Sequence, residues 1–444
     1  MNQPLDQDAL ALSRRQMLLR ALVGAGGIGL RALATGLPLS FLAHPQRALA
    51  GPLCANPGKA QFVIFQTSGK GDPINANVPG CYADPNIAHS LDPAMAATAL
   101  SLGGVQTKAA APWAALPQNV LDRAAFWHVM TNTPVHPKEP DVLKLMGAIR
   151  PTEMFPSLLA KQLAPCLGTV QMQPITVGAS TPSEGLSFSG AALPIIPPLA
   201  LRATLLAPTG GLGSLQTLRD QTLTSLRDVL KNGATSAQRS FLDAMVLSQQ
   251  EVRAIDQSLL ATLASITDNS AASQITAALA LIRMKVTPVV AIHIPFGGDN
   301  HNDKGLATET AETVSGVAAI GQLMAALATA GLADEVTFLS LNVFGRTLGS
   351  TNTDGRQHNP NHQVSLAIGK PFKAGVYGGV APVGNDYGAM PMHSASGVGA
   401  VDGDIAAIDT LASFGKTVLG AVGMGTQAIN AAIPAGKVIA GALA

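Results

Sequence analysis

The chain has 444 residues, with 28 Lys+Arg against 27 Asp+Glu; 47% of residues are hydrophobic and only 12% charged. That much apolar content with so little net charge excludes a disordered chain, and the lack of a basic excess argues against nucleic acid as a partner. The length suffices for one large core or two ordinary ones.

The N-terminus reads as an address. Ser13-Arg14-Arg15-Gln16-Met17-Leu18-Leu19 is a twin-arginine export signature, with Arg14 and Arg15 as the pair. A weakly hydrophobic Gly/Ala-rich stretch from Ala21 to Leu42 follows; Arg31 interrupts it and makes it a poor membrane anchor. Ala48-x-Ala50 is the small-residue pattern that precedes signal cleavage. Residues 1–50 are therefore expected to be a signal peptide read by the Tat translocase. The remainder, with no stable transmembrane segment after cleavage, would lie in the periplasm. It keeps 23 basic and 25 acidic residues, which gives it no charge reason to seek nucleic acid. Tat substrates cross the membrane folded, and metal loading before export is one frequent reason. Of the three cysteines, Cys54, Cys81 and Cys166, one pair can bridge in an oxidising compartment. Three pairings are open, Cys54–Cys81 being the one we favour.

Beyond the leader, residues 60–66 form a continuous apolar run, the signature of a buried parallel strand, closed by Ser68-Gly69-Lys70-Gly71-Asp72-Pro73. Residues 125–130 are a second strand, with Thr131-Asn132-Thr133-Pro134-Val135-His136 directly after it. From about 200 to 285 the periodicity becomes helical: Ser214 caps one segment, and a second begins near Ser236. Strand–helix alternation then resumes with strands over 289–294, 336–341 and 364–368 and an Ala-rich helix over 308–330. This order predicts an α/β fold, with a mostly parallel central sheet, flanking helices and a helical insertion at about 200–285. The main domain is expected over 51–424, followed by an Ala/Gly-rich tail over 425–444.

Polar residues gather in loops just past the strands, where open α/β sheets place their sites. Asp72 in the first loop offers a hard oxygen ligand. In the loop His293-Ile294-Pro295-Phe296-Gly297-Gly298-Asp299-Asn300-His301-Asn302-Asp303, the spacing of Asp299 and His301 lets a carboxylate and an imidazole converge on one ion. The plainer reading makes the same acids and amides caps of the helix that follows. In Asp354-Gly355-Arg356-Gln357-His358-Asn359-Pro360-Asn361-His362, two histidines four apart suggest ligands or an acid–base pair. Four of nine histidines, His293, His301, His358 and His362, lie in these two loops. Arg346, just past a strand, suits an anion clamp or an ion pair with an acid of the sheet edge.

Taken in order, the Tat leader, the Gly297-Gly298-Asp299-Asn300-His301 loop, the Phe344-Gly345-Arg346-Thr347 turn and the Gly355–His362 loop resemble a Tat-exported bacterial family known as domain of unknown function 1501. That family is related to the alkaline phosphatase and sulfatase superfamily. The resemblance implies an alkaline-phosphatase-like sheet and a divalent metal ion. It implies Asp72, Asp299, His301 and His358 as ligands, with His136 a further site residue. Thr131 or Thr133 falls where related hydrolases keep a nucleophile. Two positions depart from the family pattern: Asn342-Val343 stands where Ser-Glu is expected, and Gln357 where an Asp is expected. Two functions follow as expectations. One is a metal-dependent hydrolase acting on an anionic phosphate or sulfate ester; the other is a non-catalytic exported binding or envelope-assembly protein with a degenerate metal site.

Overall fold

The computed structural model describes residue 54 and residues 56–150, 152–169, 171–205, 257–349 and 353–444, with scattered positions between 221 and 243. The leader, the start of the helix expected at Ser214 and most of the one expected beyond Ser236 lie outside the described residues; residues 227–231 of the first are helical and end in a turn at Asn232-Gly233, as expected. The chain divides into two compact units: Pro52–Pro198 with Asp268–Ala444, and a smaller one that includes Leu199–Thr267. The smaller carries nearly all of helix Pro198–Leu205 and the whole of helix Gln257–Ala264.

The larger unit is built on a seven-stranded sheet. Its strands in chain order are β1 (Phe62–Ser68), β2 (Ala124–Val129), β3 (Ile175–Thr176), β4 (Val289–Ile292), β5 (Val336–Asn342), β6 (Gln363–Ile368) and β7 (Gly375–Tyr377), arranged in space as β7-β2-β6-β5-β1-β4-β3. β1 runs parallel to β4 and β5, β3 to β4, and β7 to β2; β6 alone is reversed, antiparallel to both its neighbours. The sheet is thus mostly parallel, as the alternation of elements predicts. Every residue of β1, β2, β4, β5 and β6 is buried, which is why they read as unbroken apolar runs: both faces are covered.

On one face, Phe65, Trp127, Leu339 and Leu341 pack with helices α1 (Phe155–Leu167) and α4 (Thr410–Ala421), and Trp127 lies 5.5 Å from Phe414. Residues 425–444 join this core, with Ile433, Ile439 and Ala442 buried in it. On the other face Trp113 meets Phe126 edge-on at 5.3 Å, beside helices α2 (Ala271–Arg283) and α3 (Ala307–Thr329). In α3 the buried positions Thr310, Thr313, Val317, Ile320, Leu323 and Leu327 recur every three or four residues, the stripe of a helix lying on a core. Among the described residues this region, Lys304–Thr329, is also the one helix long and apolar enough to cross a membrane.

The favoured cysteine pairing is corrected. Cys54 bridges Cys166, with Cα atoms 4.7 Å apart, and Cys81 is free and buried. Cys166 sits half-buried in the last turn of α1, where the chain before β1 can reach it. Cys81 is sealed among Ala76, Ile87, Leu348 and Tyr387.

Candidate metal centre

Three loops at the carboxyl ends of the strands build the site. The chain leaving β4 turns at Gly297 (φ 100°), where a Cβ would stand 2.8 Å from the Cα of Glu309, and then presents Asp299 and His301. The chain leaving β5 pairs Gly345–Arg346 with His358–Asn359 before entering β6; Arg346 is directly opposite His358. The chain leaving β2 reaches His136 through a short 3-10 turn, His136–Lys138. Gly355 (φ 123°) lets the loop leaving β5 touch the one leaving β4: a Cβ there would lie 2.2 Å from the His301 carbonyl oxygen.

His136, Asp299, His301 and His358 converge, each offering a ligand atom, with all four atoms within 4.8 Å of one another. His301 Nε2 lies 2.8 Å from His358 Nε2 and 3.2 Å from Asp299 Oδ1; His136 Nε2 lies 3.5 Å from Asp299 Oδ2. A tetrahedral cation held at about 2.0–2.1 Å by each ligand keeps ligand atoms about 3.3 Å apart, so these separations fit one ion.

The outer nitrogens decide the protonation. His136 Nδ1 donates to the Gly69 carbonyl at 2.7 Å and His358 Nδ1 to the Pro134 carbonyl at 2.5 Å; a carbonyl can only accept, so both protons sit on Nδ1. His301 Nδ1 meets Gln357 Oε1 at 2.9 Å. With protons on the outer nitrogens, the Nε2 lone pairs face inward. Two bare imidazole nitrogens 2.8 Å apart repel unless a cation, or a proton carried by one of them, lies between them. Outer-nitrogen donation to carbonyl or amide oxygen is also how metal-binding histidines are held.

Charge agrees. Burial acts to lift the Asp299 pKa, but Arg346, His136 and His301 outweigh it and hold the carboxyl below its ordinary range. Burial lowers the pKa of His358, and the nearby Arg346 adds to this, keeping the ring neutral and able to bind. Phe344 stacks on His358 at 4.3 Å and walls one side. Asp299, His136 and His301 remain part-exposed, which leaves the ion a path to solvent.

The other expected residues sit elsewhere. Asp72 is fully buried outside this cluster, and neither of its oxygens has a hydrogen-bond partner. Burial, partly offset by His293, pushes its pKa up to about 6. The Ser68–Asp72 loop serves the site through its backbone instead: the Gly69 carbonyl holds His136, and the Lys70 and Gly71 carbonyls accept from Arg346. Arg346 also bonds Asp299 at 3.0 Å and is wholly buried. Its donors hold the ligand loop, the ion-pair alternative, and do not present an anion clamp to solvent. Thr131 is buried with an unpartnered hydroxyl, and Thr133 Oγ1 accepts only from the Val135 amide at 3.4 Å. The segment's contributions are the Pro134 carbonyl and His136. His293 pairs with buried Glu184 at 3.4 Å; burial lowers its pKa, but Glu184 outweighs this and the net shift is upward. Asp303 is the helix cap of the plainer reading: its oxygens accept from the amides of Thr308 and Glu309 at 2.8 and 2.9 Å.

His362 does not join His358. It lies in a second group, Cys81, His128 and His362, with ligand atoms equally close, but there the protons are accounted for. Asn75 Oδ1 accepts from the Arg346 amide, which fixes its Nδ2 as donor to His362 Nδ1 at 3.3 Å; the His362 proton is then on Nε2, donated to His128 Nδ1 at 2.8 Å. His128 Nε2 in turn donates to the Pro79 carbonyl at 2.9 Å. No imidazole lone pair is left for a metal, and this relay is internal scaffolding. Sequence reasoning also misses the part played by Gln357: as a departure from the family's Asp it reads as a lost ligand, whereas it is the hydrogen-bond partner of one.

Fold and site together define an α/β protein with a candidate mononuclear metal centre at the carboxyl edge of its sheet. Residues 203–396 match the model of a family described as protein of unknown function (DUF1501). The match supports the family resemblance drawn from the motifs and includes Asp299, His301, Arg346 and His358. No curated protein matches the chain.

Proposed function

We propose that the chain is a Tat-exported, periplasmic metalloprotein of the alkaline phosphatase and sulfatase type that hydrolyses an anionic phosphate or sulfate ester. The observation that carries this is the inward convergence of three imidazole Nε2 atoms and one carboxylate in a solvent-reachable loop cluster. His136, Asp299, His301 and His358 would hold one divalent cation, and their nitrogen-rich set suits zinc. Such an ion supplies Lewis-acid polarisation of an ester oxygen. Arg346 keeps the Asp299 carboxylate in place, and the Gly69 and Pro134 carbonyls keep two rings turned inward.

A second reading, a non-catalytic metal-holding protein, draws on one observation: Val343 is buried in the core where the family pattern has an acid. A single ion, with Arg346 already engaged, neutralises a doubly charged phosphoryl group less completely than two metals do. The test is elemental analysis of mature protein purified without chelator, followed by assays on aryl phosphates and sulfates. One equivalent of metal, lost in the His301→Ala/His358→Ala variant together with ester hydrolysis, is expected. Metal without turnover would favour the second reading, and metal-free folded protein would sink both.

A further inference from the structure

Two of the three ring orientations rest on backbone carbonyls, which cannot reverse. The third rests on an amide side chain, which can. Gln357 is exposed, its backbone amide bonded to Thr347 Oγ1 at 2.9 Å and its carbonyl accepting from the Thr347 amide at 2.9 Å. Its main chain is therefore fixed on the edge of the Gly345–Asn359 pairing while its side chain is free to rotate, and the partner it meets is His301 Nδ1. With Oε1 toward the ring, the proton stays on Nδ1 and Nε2 binds. With the amide reversed, Nε2 of Gln357 donates to Nδ1, the ring proton moves to its own Nε2, and the inward lone pair is gone.

We infer that Gln357 is the positioning residue that selects the metal-binding tautomer of His301 and thereby sets the affinity of the centre. The inference rests on the metal reading above, and it adds a direction: the group is a neutral, reversible acceptor where a carboxylate would be a permanent one. Partners of this kind typically change metal affinity by about 10–100-fold when removed. Because the Gln357 side chain is exposed, replacing it leaves the core untouched.

The experiment uses the mature chain as wild type, Gln357→Met and Gln357→Glu. Zinc affinity is measured by competition with a chromophoric chelator, and the His301 ring tautomer by nitrogen-15 spectroscopy on zinc-free protein at about pH 8. Expected are a roughly ten-fold or greater loss of zinc affinity in Gln357→Met, and recovery to wild-type affinity or better in Gln357→Glu. The zinc-free spectra should show the Nδ1-protonated fraction of His301 highest in Gln357→Glu, lower in wild type, where the amide can reverse, and lowest in Gln357→Met. Unchanged affinity and tautomer in Gln357→Met overturn the inference while leaving the metal reading standing. A wild type that binds no zinc overturns the metal reading and, with it, the affinity claim; the zinc-free spectra then still decide whether Gln357 sets the tautomer.

Discussion

At the scale of single residues, the buried polar groups pull stability in opposite directions with pH. Asp72 has no hydrogen-bond partner and a pKa raised by burial from 3.8 to about 6. The folded state therefore holds its proton more tightly than the unfolded chain, and stability falls as pH rises from about 4 to about 6, by on the order of 3 kcal/mol. Asp72→Asn removes this loss. It should melt roughly 5 °C above wild type at about pH 8 and level with it at about pH 4, read by calorimetry at both pH values. A lower melting point at the higher pH would show that the carboxylate holds a cation or an unseen donor. His128 acts with the other sign: burial lowers its pKa to about 4, and His362 is lowered too, by burial and by His128. Both rings are neutral in the fold, so their contribution is lost as pH falls below about 6.5.

The element that organises the site is the start of α3. Asp303 caps it, and Glu309 in its first turn receives the guanidinium of Arg356 at 2.7 and 3.1 Å; both side chains are wholly buried. Arg356 also donates to the Thr347 and Ala88 carbonyls, so one ion pair ties the helix to the β5–β6 loop of the centre and to the segment around Ala88. Removing one partner strands a buried charge: Arg356→Met should cost about 3–5 kcal/mol, measured by denaturant unfolding. Glu309→Leu added to it should cost less than the two single changes together. The strands and α3 were legible in sequence because their burial is periodic or continuous. Asp299, His301 and His358 were legible because loops past parallel strands gather sites. What the sequence hid depends on non-local backbone. His358 and His362 share a loop, but the Asn359-Pro360-Asn361 turn, with the Asn361 amide on Asn359 Oδ1 at 2.9 Å, sends one outward and the other into the core. The carbonyls of Gly69 and Pro134 carry no sequence signal at all, and Gln357 is identifiable as a partner only once the hairpin places it beside His301.

For the whole molecule, the Cys54–Cys166 bridge closes a sequence separation of 112 residues, and loss of so long a loop restraint costs about 4–5 kcal/mol in the chain-entropy account. Cys54→Ser, or wild type with reductant, should show matching lower melting points in a thermal scan. Thiol titration of the unfolded, unreduced protein should find Cys81 alone. The order of the sheet carries one more consequence. β2 and its outer neighbour β7 join the other strands only through β6, a strand made after every ligand of the centre has been synthesised. Until β6 slots in, His136 belongs to one fragment and Asp299, His301 and His358 to another, so an ion gripped by all four is a certificate of closure. Occupancy of the centre would then count finished molecules, which makes the metal a natural proofreading mark for a protein that, on the export route proposed above, must complete its folding before it is sent anywhere.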